Sequence, residues 1–249
     1  MNYAIQLNQI SLNYNQQPVF ADLSLTVPTG KWIAILGKSG VGKTTLLRLL
    51  AGISALDEKI NGTKKSFFSP SEVAYMTQAD SLLPWLSVIN NATLSVRLRK
   101  HKKAQYQAKI EAATALLTQV GLSNYLHFYP DQLSGGMRQR VALVRTLLEE
   151  KPVILLDEPF ASLDAITRYE LQNLTASLLK NKTVLFVTHD PSEALRLADE
   201  IYILHGEPAK LTRVAMLDSS VPRELSDPEI SQLQTKLFQQ LTELVQEKS

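Results

Sequence analysis

The stretch Lys31-Trp32-Ile33-Ala34-Ile35-Leu36 runs directly into Gly37-Lys38-Ser39-Gly40-Val41-Gly42-Lys43-Thr44, and Thr44 to Ala51 (TTLLRLLA) follows. The first segment is a short, nearly continuous apolar run, the pattern of a strand buried on both faces. The last has helical spacing and ends at Gly52, a left-handed C-cap candidate. The segment between them matches G-x-x-x-x-G-K-[ST] in full, in the strand–loop–helix context that gives the pattern its meaning. Its glycines let the loop curl so that backbone N–H groups point inward at a polyphosphate, with the positive end of the following helix behind the same anion. Lys43 supplies a mobile charge for the β- and γ-phosphates, and the Thr44 hydroxyl can ligate Mg²⁺. Gly37 to Thr44, with Thr45 beside them, are therefore the candidate residues of a nucleoside triphosphate site.

Working outward, Tyr3 to Leu12 alternates polar and apolar residues (Ile5, Leu7, then Ile10, Leu12), as a strand with one buried face does. Asp22 to Val27 is a second strand candidate, and Pro28-Thr29-Gly30 marks a turn. From about Ala79 to Glu150 the chain reads mainly as helices; Lys109 to Val120 is the clearest, stopped by Gly121. Apolar runs return at Val153 to Leu156 and Thr183 to Val187, with a helix between them, which implies parallel pairing through a crossover. His189-Asp190-Pro191-Ser192-Glu193 looks like a helix start, with Asp190 as N-cap, Pro191 first in the helix and Glu193 as the capping-box partner. A final strand, Ile201 to Leu204, precedes a polar stretch. The tail from Asp227 to Glu247 carries one apolar stripe of Ile230, Leu233, Leu237, Leu241 and Leu244, suited either to packing on the parent domain or to docking a partner.

Composition narrows the classes. The 249 residues suffice for one large domain with an inserted lobe and a short tail, and 45% hydrophobic with 20% charged residues is the balance of a soluble globular protein. With 26 basic and 24 acidic side chains the formal charge is +2, too near neutral for a nucleic-acid partner. The absence of cysteine excludes disulfides, thiolate metal sites and cysteine nucleophiles. No apolar run approaches the ~20 residues that span a bilayer, and residues 1–10 have no signal-peptide core. The expected location is cytoplasmic, with any membrane contact passing through another protein.

Two further segments carry chemistry. Val153-Ile154-Leu155-Leu156-Asp157-Glu158 sets two acids at the end of a buried strand, the edge at which open parallel sheets bind ligands. Asp157 would bind Mg²⁺, directly or through water, and Glu158 would polarise the attacking water. Leu133-Ser134-Gly135-Gly136-Met137-Arg138-Gln139-Arg140 reads as a Ser-capped helix whose paired glycines expose its first N–H groups. That makes a second anion-binding helix start, which is peculiar in one chain unless the two starts meet across a two-fold dimer.

With these motifs in this order, the sequence resembles the ATP-binding cassette (ABC) family over approximately residues 3–205. The resemblance implies an α/β P-loop NTPase fold: a mostly parallel core sheet, an antiparallel N-terminal β-subdomain and an inserted helical subdomain. It implies one ABC ATP-binding domain over 1–249, with the helical subdomain at about 79–150 and a helical tail at about 222–249. ATP and Mg²⁺ are the implied ligands. Ser134, Gly135 and Gly136 look like the signature that binds the partner's ATP, and Gln78 like the glutamine that senses the γ-phosphate and metal. Ser162-Leu163-Asp164 resembles the loop passing between subunits, and His189 the switch histidine that contacts the γ-phosphate and, with Glu158, assists hydrolysis. Tyr14 looks like the residue that stacks on adenine, although Phe20 also lies upstream of the P-loop. Met137 departs from the family pattern, standing where many cassettes have glutamine.

Within the family, Leu82-Leu83-Pro84-Trp85, LSGGMRQRVAL and Asp-Glu-Pro-Phe look most like importer ATPases of the nitrate, sulfonate and taurine group. Val187 to Leu211 leans toward the branch importing the pyrimidine precursor of thiamine. The implied partners are a second copy of the chain, integral membrane permease subunits and, indirectly, an extracytoplasmic solute-binding protein. The implied place is the cytoplasmic face of the membrane, as a peripheral subunit. Leu82, Leu83 and Trp85 are read either as a groove for a permease helix or as helical-lobe core. Two rivals are a soluble cassette outside transport and a P-loop GTPase or kinase. The second lacks a guanine-reading Asn-Lys-x-Asp, because Asn181-Lys182 is followed by Thr183-Val184.

Overall fold

The computed structural model of the protein describes residues 3–14, 17–53, 59–66, 68–99 and 103–246. Met1, Asn2 and residues 247–249, included in the expected domain and tail, lie outside them. In chain order the strands are β1 (Tyr3–Tyr14), β2 (Gln17–Pro28), β3 (Trp32–Leu36), β4 (Lys59–Ser66), β5 (Val73–Met76), β6 (Val153–Asp157), β7 (Thr183–Thr188), β8 (Glu200–His205) and β9 (Lys210–Met216). The helices are α1 (Lys43–Ala51), α2 (Val88–Ala92), α3 (Leu94–Leu98), α4 (Lys103–Gln119), α5 (Gly135–Leu147), α6 (Ala165–Leu178), α7 (Pro191–Leu197) and α8 (Pro228–Gln246).

The central sheet has the order β5-β6-β7-β3-β8-β9, and only β9 runs antiparallel to its neighbour. Its inner strands β3, β6 and β7 carry continuous apolar runs because both faces are covered. Trp32, Ala34, Leu36, Ile154, Leu156, Val184 and Phe186 face a core shared with α2, α4–α8. The residues between them, Ile33, Ile35, Val153, Leu155, Leu185 and Val187, face a second core shared with α1 and the N-terminal strands. Those strands form a separate antiparallel sheet of order β2-β1-β4. The expected mostly parallel sheet and antiparallel N-terminal subdomain are both present.

Four readings need correction or extension. Ile201–Leu204 is not the last strand: the polar stretch after it contains β9, an edge strand whose exposed residues leave no apolar alternation to read. Strands β4 and β5 were not anticipated. The helical region opens with a loop, residues 77–87, and its long helix starts at Lys103 rather than Lys109. Glu193 is not a capping-box partner. Asp190 does cap α7, accepting from Ser192 N at 2.8 Å, but Glu193 turns inward and accepts from the Thr188 hydroxyl at 2.7 Å. The Asp190 N–H is instead taken by Thr188 Oγ1 at 3.0 Å.

The tail packs on the parent domain. Ile230 and Leu237 are buried, and Leu233, Leu241 and Leu244 lie against the main core. Arg223, just before it, fastens the junction: it is buried and donates to Leu195 O, Ala198 O, Leu217 O and Ser219 O. Its charge thus satisfies carbonyls at the C-terminal end of α7, where a cation is favoured.

Candidate active site

The parallel strands deliver the predicted residues to one edge. Gly37 follows β3, Asp157 ends β6 with Glu158 just beyond it, and His189 follows β7. The register sets Leu36 beside Thr188 and Asp157 beside Val187, so these three strand ends are adjacent. Gln78 lies two residues past Met76, the partner of Leu156, and is exposed at the same edge.

The P-loop is shaped by close approach. A Cβ on Gly37 would sit 2.6 Å from Leu204 O, in the backbone of β8. Gly42 has φ +107° and precedes α1; a Cβ there would sit 2.9 Å from the ring of Phe20. Phe20 is buried against this turn, so it is not free to stack on a base. Tyr14 is half exposed and stands two residues beyond Leu12, the cross-strand partner of Phe20. Lys43 is buried and donates to Gly37 O at 2.7 Å and Lys38 O at 3.0 Å, across the mouth of the loop. Burial holds its ammonium below the ordinary lysine range, opposed by Glu158 and Asp157. Lys38, Ser39 and Gly40 are exposed at the loop tip, Val41 is half buried, and Thr45 is half buried in the first turn of α1.

Beside the loop, burial pushes the Asp157 carboxyl up, countered by a hydrogen bond donated from the Thr44 hydroxyl. Tyr75 also donates to Asp157, at 3.4 Å. The Thr44–Asp157 pair is an all-oxygen donor set, suited to Mg²⁺, which keeps waters and phosphate oxygens in its shell. Among the described residues no group of three or more His, Cys, Asp or Glu is placed to hold a metal alone, so such an ion would need those additional ligands.

Glu158 is the most constrained residue here. Its φ is +49°, left-handed and unusual for a side chain of its size. Its N–H donates to Val187 O at 3.0 Å, and its carbonyl accepts from Gln139 Nε2 at 2.7 Å. Its carboxylate is 3.0 Å from His189 Nδ1 and 4.0 Å from Lys43 Nζ. Backbone strain of this kind concentrates where a side chain must be aimed. His189 itself is exposed.

Ser134 caps α5 as the sequence implied, accepting from Met137 N at 3.2 Å. Ser134 and Gly135 are exposed, and a Cβ on Gly136 would meet Ser162 O at 3.0 Å. The signature turn therefore rests directly on the loop Ser162-Leu163-Asp164, in which Asp164 caps α6 by accepting from Thr167 N. Met137 is half buried against the main core.

Several working residues were not foreseen. Gln139 is one; its position on the buried face of α5, with Ala142 and Thr146, was the available signal. Arg138 and Arg145 grip the loop after Gln78: Arg138 Nε donates to Asp80 Oδ2 at 2.9 Å, and Arg145 donates to the carbonyls of Asp80 and Ser81. Arg168 joins Leu163 O to Asp190, linking the Ser162–Asp164 loop to the start of α7. The apolar cluster after Gln78 divides in two. Leu82 packs on the core, Leu83 is half buried, and Trp85 is 69% exposed. Buried Asn91 holds this loop by donating to Leu83 O and Leu86 O while accepting from Leu83 N.

A P-loop, an acid pair at a buried strand end and a second Ser-Gly-Gly helix start define a nucleoside triphosphatase of the cassette type. The profile of the ABC transporter family matches residues 20–161. The chain is 44% identical over 243 residues to an ABC transporter ATP-binding protein of Haemophilus influenzae, covering 95% of this chain and 98% of that one. It is 39% identical to the aliphatic sulfonates import ATP-binding protein SsuB 1 of Paracoccus denitrificans (96% and 93% covered) and 38% identical to SsuB of Escherichia coli K12 (94% and 89%). Its fold matches the dimeric structure of MJ0796, a bacterial ABC transporter cassette, with a TM-score of 0.73 at 25% identity over 86% of this chain and 99% of that one. The chain belongs to the ABC transporter family and is an ATP-binding, ATP-hydrolysing subunit of it.

Proposed function

We propose that the protein drives an importer from the cytoplasmic face of a membrane, as two copies closing over two ATP molecules beneath separate permease subunits. The observation that carries this reading is the division of the site's chemistry. Lys43, Asp157, Glu158 and His189 share one sheet edge, whereas the exposed Ser134-Gly135 turn lies at the start of α5, a different element. The signature is thus left for a neighbour's nucleotide. Among the described residues no helix is long and apolar enough to cross a membrane; this reading assigns the channel to separate permease subunits. The whole chain acts as one cassette, its helical part at about 79–150 forming a lobe and residues from about 222 a tail.

In this reading Gly37–Thr45 and Lys43 bind the phosphates, and Tyr14 stacks on adenine. Thr44, Asp157 and Gln78 would hold Mg²⁺, which would offset phosphate charge. Glu158 takes the proton of the attacking water, with His189 orienting its carboxylate at 3.0 Å; a positioned base contributes roughly 10²–10⁴-fold in rate. Hydrolysis removes the anion shared by both helix starts, and the pair opens because ATP binds the closed state better. The loop after Gln78, with exposed Trp85, offers the apolar contact for a permease helix. The names of the relatives favour aliphatic sulfonates as cargo, delivered by an extracytoplasmic binding protein. The segment Val187–Leu211 favours the hydroxymethylpyrimidine precursor of thiamine. A gene-deletion strain grown on a sulfonate as sole sulfur source, or on hydroxymethylpyrimidine in a thiamine-requiring background, separates the two.

Glu158→Gln tests the chemistry. It should retain ATP affinity within about twofold while losing at least ~10²-fold in turnover. Normal hydrolysis by that variant removes Glu158 from the role of base.

A further inference from the structure

The side chain of Gln139 is buried within α5, yet it spends both its donor and its acceptor on the backbone of other functional segments. Nε2 donates to Glu158 O at 2.7 Å, and Oε1 accepts from Ser162 N at 2.9 Å. One amide thus joins three segments: the helix that begins at the signature turn, the residue with the catalytic carboxylate, and the loop Ser162-Leu163-Asp164. The same helix meets that loop a second time, one turn earlier, where a Cβ on Gly136 would lie a tight 3.0 Å from Ser162 O.

The backbone of Glu158 explains why the bridge matters. A left-handed φ in a non-glycine residue persists only when its surroundings over-determine it. Here the N–H is held by Val187 O and the carbonyl by Gln139, one clamp on each side. Of the two, only the Gln139 clamp is a side chain that can be substituted without altering the sheet. Releasing it frees the peptide after Glu158 to rotate, and the carboxylate then loses its aim toward His189 and Lys43.

We propose that Gln139 is a positioning residue that sets the aim of Glu158 and couples it to the signature turn on the same helix. The proposal rests on the reading that Glu158 serves the chain's own ATP while Ser134-Gly135-Gly136 serve the partner's. Under that reading Gln139 is the intrachain link between the two ATP sites. Contact of the signature with the partner's nucleotide, transmitted along α5, fixes the base at the chain's own site.

Two variants test this. Gln139→Met fills the space and removes both bonds. Gln139→Glu keeps an acceptor for Ser162 N, but when ionised it cannot donate to Glu158 O. Both should lower kcat roughly 10–10²-fold, the loss expected for misplacement of a reacting group by about 1 Å, with the KM for ATP within about threefold of the parent. Both should also keep forming the ATP-dependent dimer, which should persist longer because hydrolysis is slowed. The sharper readout is pH. Protonation of the carboxylate introduced by Gln139→Glu restores a donor, so the kcat deficit of that variant relative to the parent should shrink as pH falls from 8 to 6. The deficit of Gln139→Met should stay constant. The neighbouring charges, Asp157, Glu158, Lys43 and His189 across the loop and Arg138 and Arg140 on α5, are common to all three proteins and cancel in the ratios. Unchanged kcat in Gln139→Met overturns the proposal, as does a loss of ATP binding and dimer formation in parallel with kcat, or an identical pH dependence of both deficits. Glu158→Gln measured alongside reports separately on the base: if it hydrolyses ATP normally, the reading beneath the proposal fails, and the proposal with it.

Discussion

Substituting the P-loop glycines one at a time separates two reasons for their presence. Gly40 has φ +81° and no atom within 4 Å of an added Cβ, so Gly40→Ala carries only the backbone penalty of a left-handed alanine, about 1–2 kcal/mol. Gly37 has no such φ, but its Cβ would lie 2.6 Å from Leu204 O, a backbone atom that cannot give way. The overpacking that follows costs about 1–3 kcal/mol. Gly42 combines both, with φ +107° and a Cβ 2.9 Å from Phe20, whose ring is 1% exposed and has nowhere to go. Its penalty should reach roughly 2–5 kcal/mol, the sum of those two ranges. A loop that relieves the clash by shifting also withdraws its N–H groups from the phosphates, and about 1.4 kcal/mol of lost binding is tenfold in affinity. Urea unfolding should therefore rank destabilisation Gly40→Ala, then Gly37→Ala, then Gly42→Ala, with ATP affinity falling at least ~10-fold for Gly42→Ala. The reasoning is refuted if Gly40→Ala is as damaging as Gly42→Ala, or if Gly42→Ala is neutral in both assays.

Two other predictions concern stability. Burial raises Glu193 from its ordinary 4.5 to about 7, against the opposing hydrogen bond from Thr188. The folded protein then holds a proton that the unfolded chain has released, so this residue's contribution to stability falls as pH rises from about 4.5 to about 7 and is level above. Glu193→Gln removes that slope, and the stability difference between variant and parent should move by roughly 2–3 kcal/mol in the variant's favour between pH 5 and pH 8, measured by urea unfolding. Arg223→Met strands the carbonyls of Leu195, Ala198 and Leu217 in the interior. Each orphaned group costs about 1–3 kcal/mol, so the chain should lose roughly 3 kcal/mol or more; a calorimetric melt unchanged from the parent would refute this.

Much of this was legible because the chemistry and the fold share one pattern. The strands β3, β6 and β7 announce themselves as apolar runs since both faces of the sheet are covered, and each runs into a candidate site residue. What escaped was held by contacts that no short spacing encodes. Strand β4 (KINGTKKS) carries three lysines and a glycine, and its pairing with β1 shifts register at Gly62, where any Cβ would strike Gln9 O at 2.4 Å. Strand β9 lies at an exposed edge, and an exposed edge needs no apolar alternation. Glu193 stands at capping-box spacing, yet Thr188, five residues earlier, captures it. Gln139 sat in plain view within the signature helix. Only the fold shows that its two partners, Glu158 and Ser162, lie 19 and 23 residues away in the next structural segment.

The proposed mechanism holds each ATP between two copies of this chain. Sedimentation equilibrium of Glu158→Gln with Mg-ATP, beside Glu158→Gln carrying Ser134→Arg, tests it most directly. The account predicts a dimer with two bound ATP for the first protein. For the second it predicts a monomer that still binds one ATP, because Lys43 and the P-loop are intact while the partner's signature turn is blocked. A monomer in the first case, or an undiminished dimer in the second, contradicts the shared site.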